Sequence, residues 1–381
     1  MHQSKKIGIN VLFCGDIMPG GVLPYQDNYI DEKVRQYLFG FDFRVGTLEC
    51  AIGTNIAPAS EKLKTNGGND NVCFARDEDF FRIKEMGFNA VSLGNNHSFD
   101  LGEEGLKNTM RMLKETGIAY FGAGMNKTEA SAPLFVKLGG VILAVIGCCI
   151  KGLSPKSLIA ATDKTYGVYQ PSIEELVAQI QAIRDRCDCL IVMPHWGEEH
   201  VRIPPVKNVE YAKRMIDAGA DGVLGSHSHC LAPHLRYRGK PIFYGLGNFL
   251  YPDMCLYPPR PFYYPNNSEE LLSMPQCVNY PRSVSRPTLC VWGEDSRLGL
   301  IVEICLNETV DTEFRIVRMA NDNVLQFYST YSFVKDLFVR HIVMPITAIA
   351  SKVPFYKFLY KLIYKYEIHM KKLGDFRKTV E

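Results

Sequence analysis

A layered α/β fold is predicted for this chain by three observations. Short apolar runs alternate with amphipathic stretches through the first 250 residues, the pattern of strands covered by helices. The 381-residue length suits one large or two modest domains, and 46% hydrophobic with 22% charged residues is an ordinary globular balance. Polar residues able to carry chemistry cluster where the apolar runs stop.

Ile7–Cys14 predicts the first strand and Arg44–Glu49 the second. Gly53–Asn71, rich in Gly, Pro, Ser and Asn, reads as a surface loop. Phe80, Phe81 and Ile83 predict a helix over Asp77–Met86, and Asn89–Leu93 reads as a short buried strand. Leu106, Met110 and Leu113 place a helix over Glu103–Thr116 that Gly117 stops, with a strand after it. Val141–Cys148 is a strong strand signal. Ser172, with Glu175 three residues on, is a capping box opening a helix that runs to Arg186. Cys189–Pro194 and Asp221–Leu224 continue the sheet around a helix at Val209–Ala218. Leu235–Arg238 and Pro241–Tyr244 read as a hairpin across Gly239-Lys240. Residues 251–290, dense in Pro, Tyr and Asn, are expected to form an irregular insertion or lid within a domain of residues 1–320. Leu298–Leu306 and Glu313–Met319 restore strands. From Asn321 the pattern is helical, which predicts a basic amphipathic C-terminal extension over residues 321–381.

Charge narrows the partners. The net charge of +2 lacks the positive field that general nucleic-acid binding needs, so no nucleic-acid partner is expected. The basic end, with its Lys357, Lys361 and Lys365 stripe, suits either a solvated helix edge or a membrane or partner surface using residues 353–381. Met1–Asn10 has no signal-peptide core, and Ile342–Ala350 is too short to span a bilayer, so the expected location is cytoplasmic, at most peripheral to the inner membrane. The cysteines, several inside apolar runs, are expected to be reduced and packed.

Five polar clusters sit at predicted strand ends: Gly15-Asp16, Leu48-Glu49, Asn95-Asn96-His97 with Asp100, His195-Trp196-Gly197-Glu198, and Gly225-Ser226-His227-Ser228-His229. Each alone has an ordinary reading as a turn, a cap or a satisfied loop histidine. Together they matter, because open α/β sheets gather ligands at the carboxyl ends of their strands. Two carboxylates, an amide and three imidazoles form a nitrogen and oxygen shell suited to one or two divalent ions of Mn, Zn or Fe. His227 and His229 can share a centre only if the backbone bends between them. Gly122-Ala123-Gly124 lacks dinucleotide-loop spacing, no phosphate-binding P-loop occurs, and Ser226 is not in a G-x-S-x-G elbow.

The ordered set of Gly15-Asp16-Ile17-Met18, Thr47-Leu48-Glu49, Gly94-Asn95-Asn96-His97 through Gly102, His195-Trp196-Gly197-Glu198-Glu199, Gly225 to His229 and Tyr244 to Phe249 resembles the CapA family of poly-γ-glutamate or capsule biosynthesis proteins, within the calcineurin-like metallophosphoesterase superfamily. The resemblance covers about residues 5–252. It implies a four-layer α/β/β/α sandwich, with Asp16, Glu49, Asn96, His195, His227 and His229 as metal ligands. It further implies His97 as general acid, which Asp100 could orient, and attack on a phosphoryl centre by a metal-bound hydroxide. The implied substrate is a phosphorylated or polymer-linked intermediate of cell-surface polymer synthesis. Two alternatives stay open: an accessory subunit of a membrane-bound polymer synthase, and an amidase on γ-glutamyl polymer. One departure stands out, since Met18 occupies the place of a histidine ligand in the superfamily's first motif; His200 and Glu198 are candidates to fill the gap.

Overall fold

Alternation along one strand explains the layering. In the strand Ile9–Ile17, Val11 and Phe13 join one core while Leu12 and Cys14 join another, and all four are fully buried. A strand whose two faces are both apolar must be covered on both sides. The structure, a computed structural model, describes residues 8–54, 72–150, 160–258, 261–279, 281, 283–306, 310–328, 362 and 365.

The first sheet runs in the order Leu325–Phe327, Val310–Met319, Leu298–Leu306, Ile9–Ile17, Phe43–Leu48, Ala90–Ser92, Ala119–Phe121, with Asn248–Leu250 pairing beside Ile9–Ile17. Its half from Ile9 onward is parallel, and the three strands before that are antiparallel. The second sheet is ordered His234–Tyr237, Lys240–Phe243, Gly222–Leu224, Cys189–His195, Val141–Cys149, Leu134–Leu138, parallel at its centre and antiparallel at both edges.

Val11, Phe13 and Val45 of the first sheet meet Leu143, Val145, Ile191 and Phe243 of the second in a shared core. Outside the first sheet lie the helices Glu32–Phe39 and Gly102–Glu115, which bury Val34, Leu38, Leu106 and Leu113. Outside the second lie Ile173–Ile183 and Val206–Asp217, which bury Leu176, Ile180, Val209 and Met215. The result is an α/β/β/α sandwich. Ser172 opens its helix with both halves of the capping box formed, as the sequence predicts. All twelve cysteines are free thiols.

Three sequence expectations need correction. The hairpin turns at Arg238-Gly239, one residue earlier than expected, because both residues take positive φ (50° and 78°) and so supply the mirror-image turn that matches strand twist. Residues 251–290, expected to be irregular, carry short regular elements among the described residues: Met254–Leu256, Phe262–Tyr263, Gln276–Val278 and Thr288–Val291 form a small sheet, with the helix Ser268–Ser273. Strands of two to four residues are too short to print an alternation, so the Pro and Tyr density masked them. After Asn321 the chain forms the strand Leu325–Phe327 rather than a helix, held by pairing with Val317–Met319. Leu134–Leu138 is an edge strand that periodicity did not isolate. The rest of the predicted C-terminal helix lies outside the described residues, apart from Leu362 and Lys365, which are helical as expected; most of the predicted Gly53–Asn71 loop lies outside them too. No helix among the described residues is long and apolar enough to cross a membrane.

Candidate metal centre

Both sheets aim the carboxyl ends of their parallel strands at one place. Asp16 lies one residue before the end of Ile9–Ile17, Glu49 follows Phe43–Leu48, and Asn95-Asn96-His97 follows Ala90–Ser92. From the second sheet, His195 ends its strand, and His227 and His229 follow Gly222–Leu224. Gly15 permits this convergence. A Cβ there would lie 1.9 Å from the Gly247 carbonyl oxygen, which accepts the Asp16 N–H at 3.0 Å. The bend needed between the paired histidines is present, since His227 and His229 adopt φ of 91° and 48°. Such left-handed backbone is costly for a non-glycine residue and persists where surrounding contacts enforce it.

The structure brings Asp16, Glu49, Asn96, His195, His227 and His229 together. Glu49 is the hub: its Oε1 lies 3.1 Å from His195 Nε2, 3.6 Å from His229 Nε2 and 4.0 Å from His227 Nδ1. Asp16 accepts the His227 backbone N–H at 3.2 Å and stands 3.8 Å from His229 Nδ1. Asn96 Oδ1 is 2.6 Å from His195 Nε2, and that nitrogen is only 3.1 Å from His227 Nδ1. His97 is placed beside the cluster, its Nδ1 2.7 Å from Asp100 Oδ2, which also accepts the Cys73 backbone N–H at 2.7 Å.

Sequence reasoning missed the residues that aim the rings. Ser226 Oγ lies 2.8 Å from His195 Nδ1, and Asn248 Oδ1 lies 2.9 Å from His229 Nδ1. Asn248 in turn donates to the Ser296 carbonyl at 2.8 Å. These contacts turn the other ring nitrogens toward Glu49, as outer partners of metal-bound histidines do. The motif ending in Asn248-Phe249 was the available signal for Asn248; Ser296 carried none. Met18 is fully buried in the core, with its sulfur accepting the Gly20 N–H at 3.0 Å, so it does not supply the missing donor.

The residues present fit a divalent cation. Asp16 Oδ1 and both Glu49 oxygens are buried without a hydrogen-bond partner, an arrangement that is expensive unless something positive completes it. Burial, reinforced for Glu49 by the neighbouring Asp16 charge, pushes both carboxyls up, that of Asp16 to about 7. Burial, then the surrounding imidazoles, hold His195 well below its ordinary value. A neutral imidazole is the form that ligates metal. Two donor triples, Glu49/His195/His227 and Asp16/Glu49/His229, have ligand atoms within 4.8 Å of one another and share Glu49.

The chain is thus a two-sheet α/β/β/α sandwich with a nitrogen and oxygen donor cluster able to hold metal at its strand ends. Residues 10–253 match the model of the bacterial capsule synthesis protein family PGA_cap, and the chain belongs to that family. It is similar to the capsule biosynthesis protein CapA of Bacillus anthracis, 30% identical over 260 residues covering 66% of this chain and 61% of that one. It is also similar to the PGA biosynthesis protein CapA of Bacillus subtilis, 28% identical over 254 residues, 64% and 63% of the two chains. A probable polyglutamine synthesis accessory protein of Mycobacterium tuberculosis is 34% identical over 165 residues, 41% of this chain and 43% of that one. The chain thus spans about three fifths of the length of the two CapA relatives it matches.

Proposed function

We propose that this protein is a metal-dependent phosphoesterase-type hydrolase acting on a phosphorylated or polymer-linked intermediate in capsule or poly-γ-glutamate synthesis. The observation that carries the reading is the buried, hydrogen-bond-less Glu49 carboxylate ringed by three imidazoles. Asp16, Glu49 and His229 would hold one ion, and Glu49, His195, His227 and Asn96 a second, of Mn, Zn or Fe type. Bound there, the metal would acidify a water and neutralise charge building on phosphoryl oxygens. The chain supplies the rest. Asp100 takes the Nδ1 hydrogen bond of His97, fixing the ring and leaving Nε2 to pass a proton to the departing oxygen. Ser226 and Asn248 hold His195 and His229 in the orientations that keep their outer nitrogens on Glu49.

The test is turnover of a phosphomonoester and phosphodiester panel by metal-loaded wild type and His97→Asn. Wild type should hydrolyse at least one class, and His97→Asn should keep its metal while losing about 10²–10⁴-fold in rate. A second reading, an accessory subunit of a membrane-bound polymer synthase, is favoured by Met18, which leaves the Asp16 side with three donors rather than four. Metal-loaded wild type that hydrolyses neither phosphoesters nor a γ-glutamyl amide selects that reading. Turnover of the amide alone selects an amidase built on the same residues.

A further inference from the structure

Contacts order the site's imidazoles in a row. Asn96, next to His97, touches His195; His195 and His227 rings are 4.7 Å apart between centroids, His227 and His229 6.1 Å, and His229 and His200 5.8 Å. His200 therefore borders the cluster through His229. It is more exposed than His195, His227 and His229, which are at most 3% exposed. Three features hold it there. Its backbone takes φ of 58°, the third histidine of this site in left-handed conformation. Its N–H donates to the Ser228 carbonyl at 2.7 Å, and its Nδ1 lies 2.9 Å from Ser296 Oγ. Its ring packs 5.7 Å from Trp292, which a buried Asp253–Arg297 pair and the Asp253 bond to the Trp292 N–H fix in place. Strain at a non-glycine residue that the surroundings enforce is a mark of functional placement.

Ser296 links the two ends of this brace, because its hydroxyl meets His200 while its carbonyl accepts from Asn248, the partner of His229. When the Ser296 hydroxyl donates to Nδ1, the ring proton of His200 resides on Nε2. His200 belongs to neither of the donor triples that share Glu49. We propose that His200 is a substrate-binding residue of this centre, whose Nε2–H donates to an anionic oxygen of the phosphoryl group. The inference rests on the phosphoesterase reading above and adds a second imidazole, besides His97, to the contacts with the phosphoryl group.

The experiment uses the full chain loaded with manganese and inorganic phosphate as the probe, read by calorimetry, together with metal content and phosphoester kinetics. His200→Ala should keep wild-type metal content, bind phosphate about tenfold more weakly, and raise KM more than it lowers kcat. His200→Gln retains an N–H donor and should recover most of the phosphate affinity. Equal phosphate affinity in wild type and His200→Ala, with wild type active on phosphoesters, overturns this inference alone. Loss of metal from His200→Ala also overturns it, by making His200 a ligand. Metal-loaded wild type that binds no phosphate and hydrolyses no phosphoester overturns both this inference and the reading it rests on.

Discussion

Replacing Glu49 by glutamine is expected to stabilise the metal-free protein while removing its stabilisation by metal. Both carboxylate oxygens are fully buried and accept no hydrogen bond, and leaving a buried polar group unsatisfied costs about 1–3 kcal/mol. The amide keeps the shape and carries no charge, 3.1 Å from the His195 Nε2 that already bonds Asn96 Oδ1. The gain should depend on pH. Burial raises the Glu49 and Asp16 pKa values above their unfolded values, so the folded metal-free protein holds protons that the unfolded chain has released. Its stability therefore falls as pH rises from the ordinary carboxylate range through about 7, and Glu49→Gln should help most at pH 8 and least near pH 5. His195, whose pKa is lowered, works in the opposite sense below its unfolded value. Thermal unfolding after chelation should show the variant melting a few degrees higher at pH 8, at about 2–4 °C per kcal/mol. Metal at a hundred times its Kd should add about 2.7 kcal/mol to wild type and almost nothing to the variant. A variant that melts lower without metal, and still gains stability when metal is added, would refute the reasoning.

Metal affinity should rise with pH through about 7, because Asp16, held up to about 7, and Glu49, held well above its ordinary value, must shed their protons on binding; titration in buffers of different ionisation heat should show net proton release. Met18→Leu should leave metal content unchanged and shift stability by less than about 1.5 kcal/mol, since Met18 packs in the core with its sulfur on the Gly20 N–H; loss of metal would make Met18 a ligand. Ser172→Ala should cost about 1 kcal/mol in denaturant unfolding without altering metal content, because it removes one half of the capping box far from the site.

Much of this molecule is legible in its sequence where local chemistry decides. Ser172 and Glu175 announce a helix start because both halves of the cap are local, and Gly117 ends a helix at φ of 74° because little else tolerates that backbone. The layered class is legible because buried central strands such as Val141–Cys149 are apolar throughout. The grouping of Asp16, Glu49, Asn96, His195, His227 and His229 is legible from their shared position after strands, since an α/β sheet collects such ends. What is not legible depends on tertiary contact. Leu325–Phe327 and the strands between Met254 and Val291 exist through their partners, with too few residues to carry a period of their own. Ser296 aims a histidine from a remote segment with no local pattern to mark it, while Asn248 lies in a legible motif that does not say which ring it orients.

Equilibrium dialysis of the chelated full chain against manganese or zinc, with metal counted in wild type and in His227→Ala, tests the metal centre directly. Wild type should retain metal and the variant should lose most of it, while circular dichroism shows both folded. Wild type that returns from dialysis empty, or a folded His227→Ala that retains as much metal as wild type, would contradict the account of these strand ends as a metal centre.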